Sequence, residues 1–216
     1  ELPLITDQVQ IGNVGGTHTI IERSSSAETF EIMVINANGE TITLDNLTLT
    51  GGVAPSRGGG INLLAGALNI NNSFITGNSA VQDGGGLAIS GDYIVNINNT
   101  TISENHSDFP GGGIAILAGT LTINNSKISG NTSSYYGGGI SASLYAATTI
   151  INSTISGNTA NTKGGGIFNE YSTLIIQNST ISGNSVLSES DAVKGGGIYN
   201  FGDLFSPFRY ATIFGR

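Results

Sequence analysis

Among the polar residues of this sequence, one group has the residue types and spacing that suit proton transfer. Glu104, His106 and Asp108 alternate with other residues in one short segment, and Asp83 lies one repeat unit earlier. Histidine and a neighbouring carboxylate can act as general acid and base, and carboxylates also bind hard cations. We define these four residues as the polar cluster. The simpler interpretation is a solvated loop in which none of them has a special role.

The other charged residues do not complete an active site around the polar cluster. A uronate lyase or epimerase would need a base, an arginine or lysine that neutralises the substrate carboxylate, and usually Ca²⁺. The charged side chains are too scattered along the sequence to assemble this set, so the sequence predicts no catalytic residue, no metal site and no cofactor. Arg57 and Asp83 stand at the same position of successive repeats, where we expect an ion pair worth about 0.5 kcal/mol.

The polar cluster lies in a chain that is built from repeats. Three glycines and an aliphatic residue recur from residues 58, 84, 111, 137, 164 and 195. Successive copies are 26 or 27 residues apart, with one step of 31. A fixed period in this range is typical of solenoid proteins. A second phrase closes each repeat and ends at Asn78, Asn105, Asn131, Asn158 and Asn184.

Each repeat contains three short segments with the alternating pattern of β-strands. In the repeat that begins at Gly111 they are residues 114–117, 120–123 and 127–129, each bounded by Gly, Asn or Ser. When the repeats are stacked in register, the aliphatic residues form three ladders that would close a tube around an apolar axis. The ladders consist of Ile61, Leu87, Ile114, Ile140, Ile167 and Ile198, of Ile70, Ile97, Ile123, Ile150 and Ile176, and of Ile75, Ile102, Ile128, Ile155 and Ile181.

This pattern predicts an all-β solenoid, the right-handed parallel β-helix, with about eight coils of 26–27 residues and three short strands in each coil. Strands would pair with their copies in neighbouring coils at ~4.8 Å, which gives a rod on the order of 35 Å tall. We expect one continuous domain. Residues 1–57 would form N-terminal coils without glycine triplets, 58–194 the regular coils, and 195–216 a degenerate C-terminal coil. Leu49 lies 26 residues before Ile75, which extends the register into the N-terminal segment.

The C-terminal coil departs from the repeat. Residues 185–194 contain the one clear insertion, which we expect to form a bulging loop. Ile213 lies 18 residues after Gly195, the offset that separates Ile102 from Gly84, so it is predicted on the third strand. An aromatic cluster surrounds it and would either close the tube or support end-to-end self-association. Its members are Phe205, Phe208 and Phe214.

Asparagine marks two bends in every regular coil. At the bend between the second and third strands, stacked amides could hydrogen-bond from coil to coil and tolerate the backbone geometry. We predict a structural asparagine ladder there, with a row of sugar-binding amides as the alternative. Its members are Asn72, Asn99, Asn125, Asn152 and Asn178. The second column, from Asn78 to Asn184, marks a further turn.

The glycine triplets do not form phosphate-binding loops. The Lys-Ser/Thr pair of such a loop does not follow them, and neither does a helical pattern. Glycine is instead expected where the chain turns a corner and a Cβ atom would crowd the stacked neighbour.

Hydroxyl side chains flank the third ladder and form a candidate surface ladder. They could bind an extended glycan or order water on an ice-like lattice, while a solvated polar face is the simplest interpretation. Phe74 and Lys127 interrupt one of the two columns, which weakens the ice hypothesis. The members are Thr76, Thr101, Ser103, Ser129, Thr154, Ser156, Thr180 and Ser182.

Composition restricts the possible partners. The net charge of −8 is thinly spread, because only 10% of residues are charged, and it disfavours nucleic acid and anionic membranes. No apolar run is long enough for a transmembrane helix. The sequence contains no cysteine and therefore no disulfide. It begins at Glu1 without a signal-like segment, so we expect a processed or excised piece of a longer protein.

The repeat phrases resemble those of a known group. Gly-Gly-Gly-Ile followed by Asn-Ser-Thr-Ile-Ser-Gly-Asn, as at 152–158 and 178–184, is similar to the β-helix repeats of bacterial polymorphic outer membrane protein-like surface proteins. The resemblance covers residues 1–200 and implies a secreted or surface-displayed, adhesin-like bacterial protein. That family has no agreed catalytic motif, so it assigns no functional residue. Pectate lyases and polygalacturonases share the fold, but their catalytic Asp and Arg/Lys patterns are not found here.

The leading functional hypothesis is a non-enzymatic module on the bacterial cell surface or secreted from it. It would serve as a stalk or adhesin segment that binds a polysaccharide or a host or cell-surface protein. Near-perfect repetition favours it, because catalysis needs unlike residues close together. The first alternative is a carbohydrate-active enzyme that uses Glu104, His106 and Asp108, with the 185–194 loop as a wall. The second is binding to ice or another crystal surface through the Thr/Ser columns.

Overall fold

The computed structural model describes residues 4–12, 18–188, 195–202 and 211–214, and these form a right-handed parallel β-helix. Every named strand pairs in parallel with a strand of a neighbouring coil, and no helix occurs among the described residues. The predicted fold class is therefore confirmed. The described residues also contain no helix that is long and apolar enough to cross a membrane.

The first two strands of the coils belong to one sheet of 13 strands. Two long strands run through both positions and join them. The first position is occupied by Met33–Asp45, Ile61–Asn71, Leu87–Ile89, Ile114–Ile116, Ile140–Ala142, Ile167–Glu170 and Ile198–Phe201. The second is occupied by Gln10–Gly12, the later parts of Met33–Asp45 and Ile61–Asn71, and then Ile94–Asn98, Thr120–Asn124, Ala147–Ile151, Thr173–Gln177 and Ala211–Phe214.

The third strands form a sheet of seven strands, which indicates about seven coils instead of the eight that the sequence predicted. The difference arises at the two ends, where partial coils were counted as whole ones. The third strands are Thr19–Glu22, Leu47–Thr50, Phe74–Thr76, Thr101–Ser103, Lys127–Ser129, Thr154–Ser156 and Thr180–Ser182.

A fourth strand position exists that the sequence did not predict. It follows the second asparagine bend and forms a sheet of six strands. Each member has only two residues, too few for an alternating pattern to be recognised. The fourth strands are Val53–Ala54, Ser79–Ala80, His106–Ser107, Thr132–Ser133, Thr159–Ala160 and Ser185–Val186.

The three aliphatic ladders form the core as predicted. Ile114, Ile123 and Ile128 of one coil are all fully buried, and each pairs directly with its copy in the next coil. Burying one such side chain stabilises the fold by roughly 1.5–3 kcal/mol relative to leaving it exposed. Toward the C-terminus, Ile181 and Ile198 are only partly buried. The core therefore extends continuously along the axis and thins at its C-terminal end.

The C-terminal coil corrects one prediction. Ile213 pairs with Ile176, so it belongs to the second-strand ladder and not to the third. The prediction from the offset to the glycine triplet was wrong, because the C-terminal coil has more residues between its first and second strands than the regular coils have. Residues 189–194 of the predicted loop, as well as Phe205 and Phe208, lie outside the described residues.

The glycine triplets stand at corners where backbones meet, as predicted. A Cβ atom on Gly112 would lie 2.5 Å from the carbonyl oxygen of Gly138 in the next coil and would also collide with that of Thr132. The same environment recurs at Gly85, Gly138 and Gly165. Gly130 differs, because its φ of +66° is left-handed while the space around its Cβ position is open.

This contrast generates a stability prediction. We expect Gly112→Ala to lower the free energy of unfolding by about 3 kcal/mol, because two backbone carbonyls must move to admit the methyl group. Gly130→Ala should lower it by only about 1–2 kcal/mol, the strain of a left-handed non-glycine residue. Urea midpoints of the two variants and the wild type provide the test. Equal losses would contradict the crowding of the triplet corner.

Candidate functional site

The polar cluster is only partly assembled. His106 and Asp108 come together, with Nε2 of His106 3.1 Å from Oδ1 of Asp108. On its other side, Nδ1 of His106 is 2.9 Å from Oγ1 of Thr132, the residue directly beside it in the next coil. The side chains of His106 and Asp108 are about half exposed, at 45% and 53%. The imidazole thus links a hydroxyl and a carboxylate on the open surface.

Glu104 and Asp83 do not join this pair in a metal-binding group. Glu104 occupies the corner position that is glycine in the other regular coils, and its φ of +57° is left-handed. Asp83 contacts Arg57 instead, with 3.1 Å between Oδ2 and Nε, which is the ion pair expected from the sequence. Across the described residues, no three or more His, Cys, Asp or Glu side chains are grouped so that they could hold a metal ion.

In the Arg57–Asp83 pair, the aspartate is shielded from solvent more than the arginine. The Asp83 side chain is 15% exposed and that of Arg57 36%. Burial raises the pKa of the Asp83 carboxyl above its usual 3.8, and the nearby guanidinium only partly offsets this effect. The Nε–H of Arg57 has no aligned hydrogen-bond acceptor despite the short distance, so the contact is an electrostatic one. The pair consequently contributes little to stability.

The predicted asparagine ladder lies on the surface. All five residues are exposed and have a left-handed φ between 47° and 50°. Asparagine adopts this conformation more readily than other residues with a Cβ atom. Within the described part of the chain, coil-to-coil amide hydrogen bonds in this column run only from Asn99 to Asn72 and from Asn72 to Asp45. Its main role is therefore the backbone geometry of the bend.

The second asparagine column forms the buried, hydrogen-bonded ladder. Oδ1 of Asn131 accepts hydrogen bonds from the backbone N–H and the side-chain amide of Asn105, both at 3.0 Å. Its own Nδ2 donates at 3.0 Å to Oδ1 of Asn158 and to the carbonyl of Ile102. Asn131 is fully buried. Each amide thereby satisfies the backbone of the corner and the side chain of the next coil.

A matching hydroxyl ladder fills the first bend. Ser126 Oγ donates to the carbonyl of Asn124 at 2.7 Å and accepts from the backbone N–H of Thr100 at 3.1 Å. Ser73 and Ser153 make equivalent contacts in their coils. In the sequence these residues are the Ser or Thr that follows each first-column Asn, and the repeat phrase does not by itself indicate that they are buried.

The candidate surface ladder lies on the outer side of the third strands. Its hydroxyls stack in direct register, and those of Thr76 and Ser103 are 3.2 Å apart. Phe74 is exposed and meets the ring of His18, with 5.0 Å between ring centroids. Lys127 pairs in register between Thr101 and Thr154. The ladder is thus continuous along one column and interrupted along the other.

An aromatic row in the C-terminal half was not predicted. Phe168 and Tyr199 occupy the same position in adjacent coils and stack at 5.3 Å, and Tyr136 stacks on Phe168 at 4.6 Å. The ammonium of Lys163 lies 4.9 Å from the centre of the Tyr199 ring and 5.4 Å from that of Tyr136. A hydrogen bond with Tyr135, together with burial, raises the pKa of Tyr136 to about 12. Because the rings cover one another's faces, this row chiefly joins coils.

A family model described as a right handed beta helix region matches residues 32–203 of the chain. No curated protein and no solved structure matches the chain.

The buried ladder generates a prediction about stability. Asn131→Ala would leave the buried Asn105 N–H without its acceptor and would remove a donor to the Ile102 carbonyl, so we expect a loss of about 3 kcal/mol. Asn124→Ala in the same coil, on a partly exposed strand position, should change stability by less than about 0.5 kcal/mol. Urea midpoints measure both. A similar loss in the two variants would show that burial of the amide has no special importance.

The raised pKa of Asp83 generates a prediction about pH dependence. The folded state retains this proton to a higher pH than the unfolded state, so stability should fall as pH rises from about 3.8 through the raised pKa. In Asp83→Asn this contribution is removed. The thermal midpoint of Asp83→Asn, measured relative to that of the wild type at the same pH, should therefore rise between pH 3 and pH 7. A wild-type minus variant difference that is constant with pH would contradict the shift.

Proposed function

The chain belongs to the family of right-handed β-helix regions, and we propose that it is a non-enzymatic module of a bacterial secreted or cell-surface protein. It acts as a rigid adhesin or stalk segment whose outer face binds an extended glycan. The resemblance of its repeats to polymorphic outer membrane protein-like surface proteins supports the location. The continuous core supports rigidity, since the regular coils are joined to one another along all four strand positions.

One observation carries the proposal of glycan binding. The hydroxyls of Ser103, Ser129, Ser156 and Ser182 stand in direct register on successive third strands. The spacing of these side chains follows the spacing between strands, about 4.8 Å. An extended glycan also repeats along its length, so such a column can offer the same hydrogen bonds to successive sugar units. A polymer bound this way would lie parallel to the axis.

Polysaccharide cleavage is a second candidate, supported by the contacts of His106 with Thr132 and Asp108. If cleavage occurred there, His106→Ala and Glu104→Ala should abolish it. The proposed module predicts that both variants behave as wild type with an intact polymer.

The test is NMR of the protein with a panel of neutral and acidic polysaccharides, followed for a day. We expect amide shifts along the third-strand face and unchanged polymer signals. New anomeric or unsaturated-uronate signals would show an enzyme instead. Absence of any change with every polysaccharide would contradict glycan binding and leave a protein as partner.

A pair of variants that each remove one hydroxyl sharpens this test. Ser156→Ala removes one from the serine column on the third strands, and Thr149→Val removes one from the outer side of the second strand in the same coil. We expect the first to weaken glycan binding about 2- to 10-fold, which is the loss of one hydrogen bond. The second should leave affinity unchanged. Equal effects would contradict binding at the third-strand face.

A further inference from the structure

A slot opens on the N-terminal half of the β-helix where two turns protrude beyond the coil between them. Asn36 pairs with Ala65 and Thr41 with Ala67, so residues 37–40 stand opposite Gly66 alone. Ala37 is buried, while residues 38–40 are exposed and form an outward bulge. In the coil on the other side, residues 90–94 form a turn one residue longer than residues 64–67 beside it. The two turns enclose a cavity of about 220 Å³.

The floor of the slot is formed by Gly66 and Ala67, and it is kept open because Gly66 has no side chain. Gly66 has a left-handed φ of +103°, and a Cβ atom there would lie 2.5 Å from the carbonyl oxygen of Ala37. The second wall is held in place by backbone hydrogen bonds. The N–H of Thr120 donates to the Tyr93 carbonyl at 2.8 Å, and that of Tyr93 donates to the Gly91 carbonyl at 2.8 Å. The slot is thus formed before any ligand arrives.

The walls combine an aromatic ring with acceptor groups. Tyr93 is half-buried against the core, while Glu40 on one turn and Asp92 on the other are exposed carboxylates. Asn38 and Thr41 add an amide and a hydroxyl, and the slot lining includes no lysine, arginine or histidine. The cavity is smaller than the roughly 300–1,000 Å³ of a drug-sized ligand pocket. It therefore suits one sugar ring, and its charge favours a cationic ligand.

We propose that this slot binds a protonated amino-sugar residue of a glycan. Glu40 and Asp92 receive the ammonium group from the two sides, and Tyr93 packs against the ring and attracts the cation. Asn38 and Thr41 hydrogen-bond sugar hydroxyls. The inference rests on the proposed glycan-binding function and names the sugar class and the site. Ca²⁺ fits less well, since the slot supplies only two carboxylates and no three or more His, Cys, Asp or Glu side chains are grouped among the described residues.

The test compares a tetramer of glucosamine with a tetramer of N-acetylglucosamine at pH 6. The two differ in the charged amine but share the sugar ring. By NMR titration we expect the glucosamine tetramer to shift the amides of Gly66 and Ala67, and to bind at least about tenfold more tightly than the acetylated tetramer.

Variants with matched charge changes separate the slot from general electrostatic attraction to a protein of net charge −8. Glu40→Gln combined with Asp92→Asn should weaken binding of the glucosamine tetramer at least about tenfold. The control combines Glu28→Gln with Asp108→Asn, exposed carboxylates that follow a third and a fourth strand, whereas the slot lies between the first and second strands. This control should keep wild-type affinity. The substituted side chains are all exposed, so each variant is expected to fold.

Two outcomes would overturn the inference while the proposed function stands. One is equal weakening in the slot and control variants. The other is no binding of the glucosamine tetramer by a protein that does bind another glycan along its third-strand face. If no glycan of any kind binds, the proposed function fails together with this site.

Discussion

The structure depends on hydrogen bonding between coils instead of within them. Ile114 N–H donates to the Gly139 carbonyl, and Lys127 N–H to that of Thr100, so every coil uses its neighbours to satisfy its backbone. Parallel pairing in register places equivalent residues directly above one another. Each position in the repeat therefore meets copies of itself. A side chain is retained only if it packs, hydrogen-bonds or is solvated in a column of similar residues.

That rule explains why the polar ladders are buried at the corners. A corner exposes backbone N–H and C=O groups to the interior, where an unsatisfied group would cost free energy. Asn131 supplies one acceptor and two donor hydrogens, and it meets both the corner and the next asparagine. Serine suffices at the other bend, where the Ser126 hydroxyl lies close to the carbonyls of Asn124 and Ile97 and accepts from one N–H. The glycine corners need no such side chain, because there backbone meets backbone.

Much of the fold could be predicted from the sequence, since the period of the repeat fixes which residues stack. Ile123 on Ile150 and Leu49 on Ile75 follow from the spacing alone. Features that depend on three-dimensional surroundings did not follow. The spacing showed two asparagine columns but not which of them faces inward, and it could not reveal the short fourth strands. Ile213 was misplaced because one offset was extended into a coil whose spacing had changed. The aromatic row escaped notice because Tyr136 and Phe168 hold different positions in the repeat, although they stack in space.

Departures from the repeat are where individual recognition can arise. A solenoid gains stability from each coil and its two interfaces, so a local bulge disturbs only its neighbours. The turn at residues 37–40 is such a bulge, as is the Asp92–Tyr93 turn two coils away, and the coil between them stays regular. Side chains of different types can therefore come together between the two turns. The aliphatic ladder beneath them is not interrupted, since Leu44, Ile70 and Ile97 remain buried and in register. Under the proposed function, the repeated face would provide extended, weak contacts along a polymer, and the slot between the two bulges would select one kind of sugar unit.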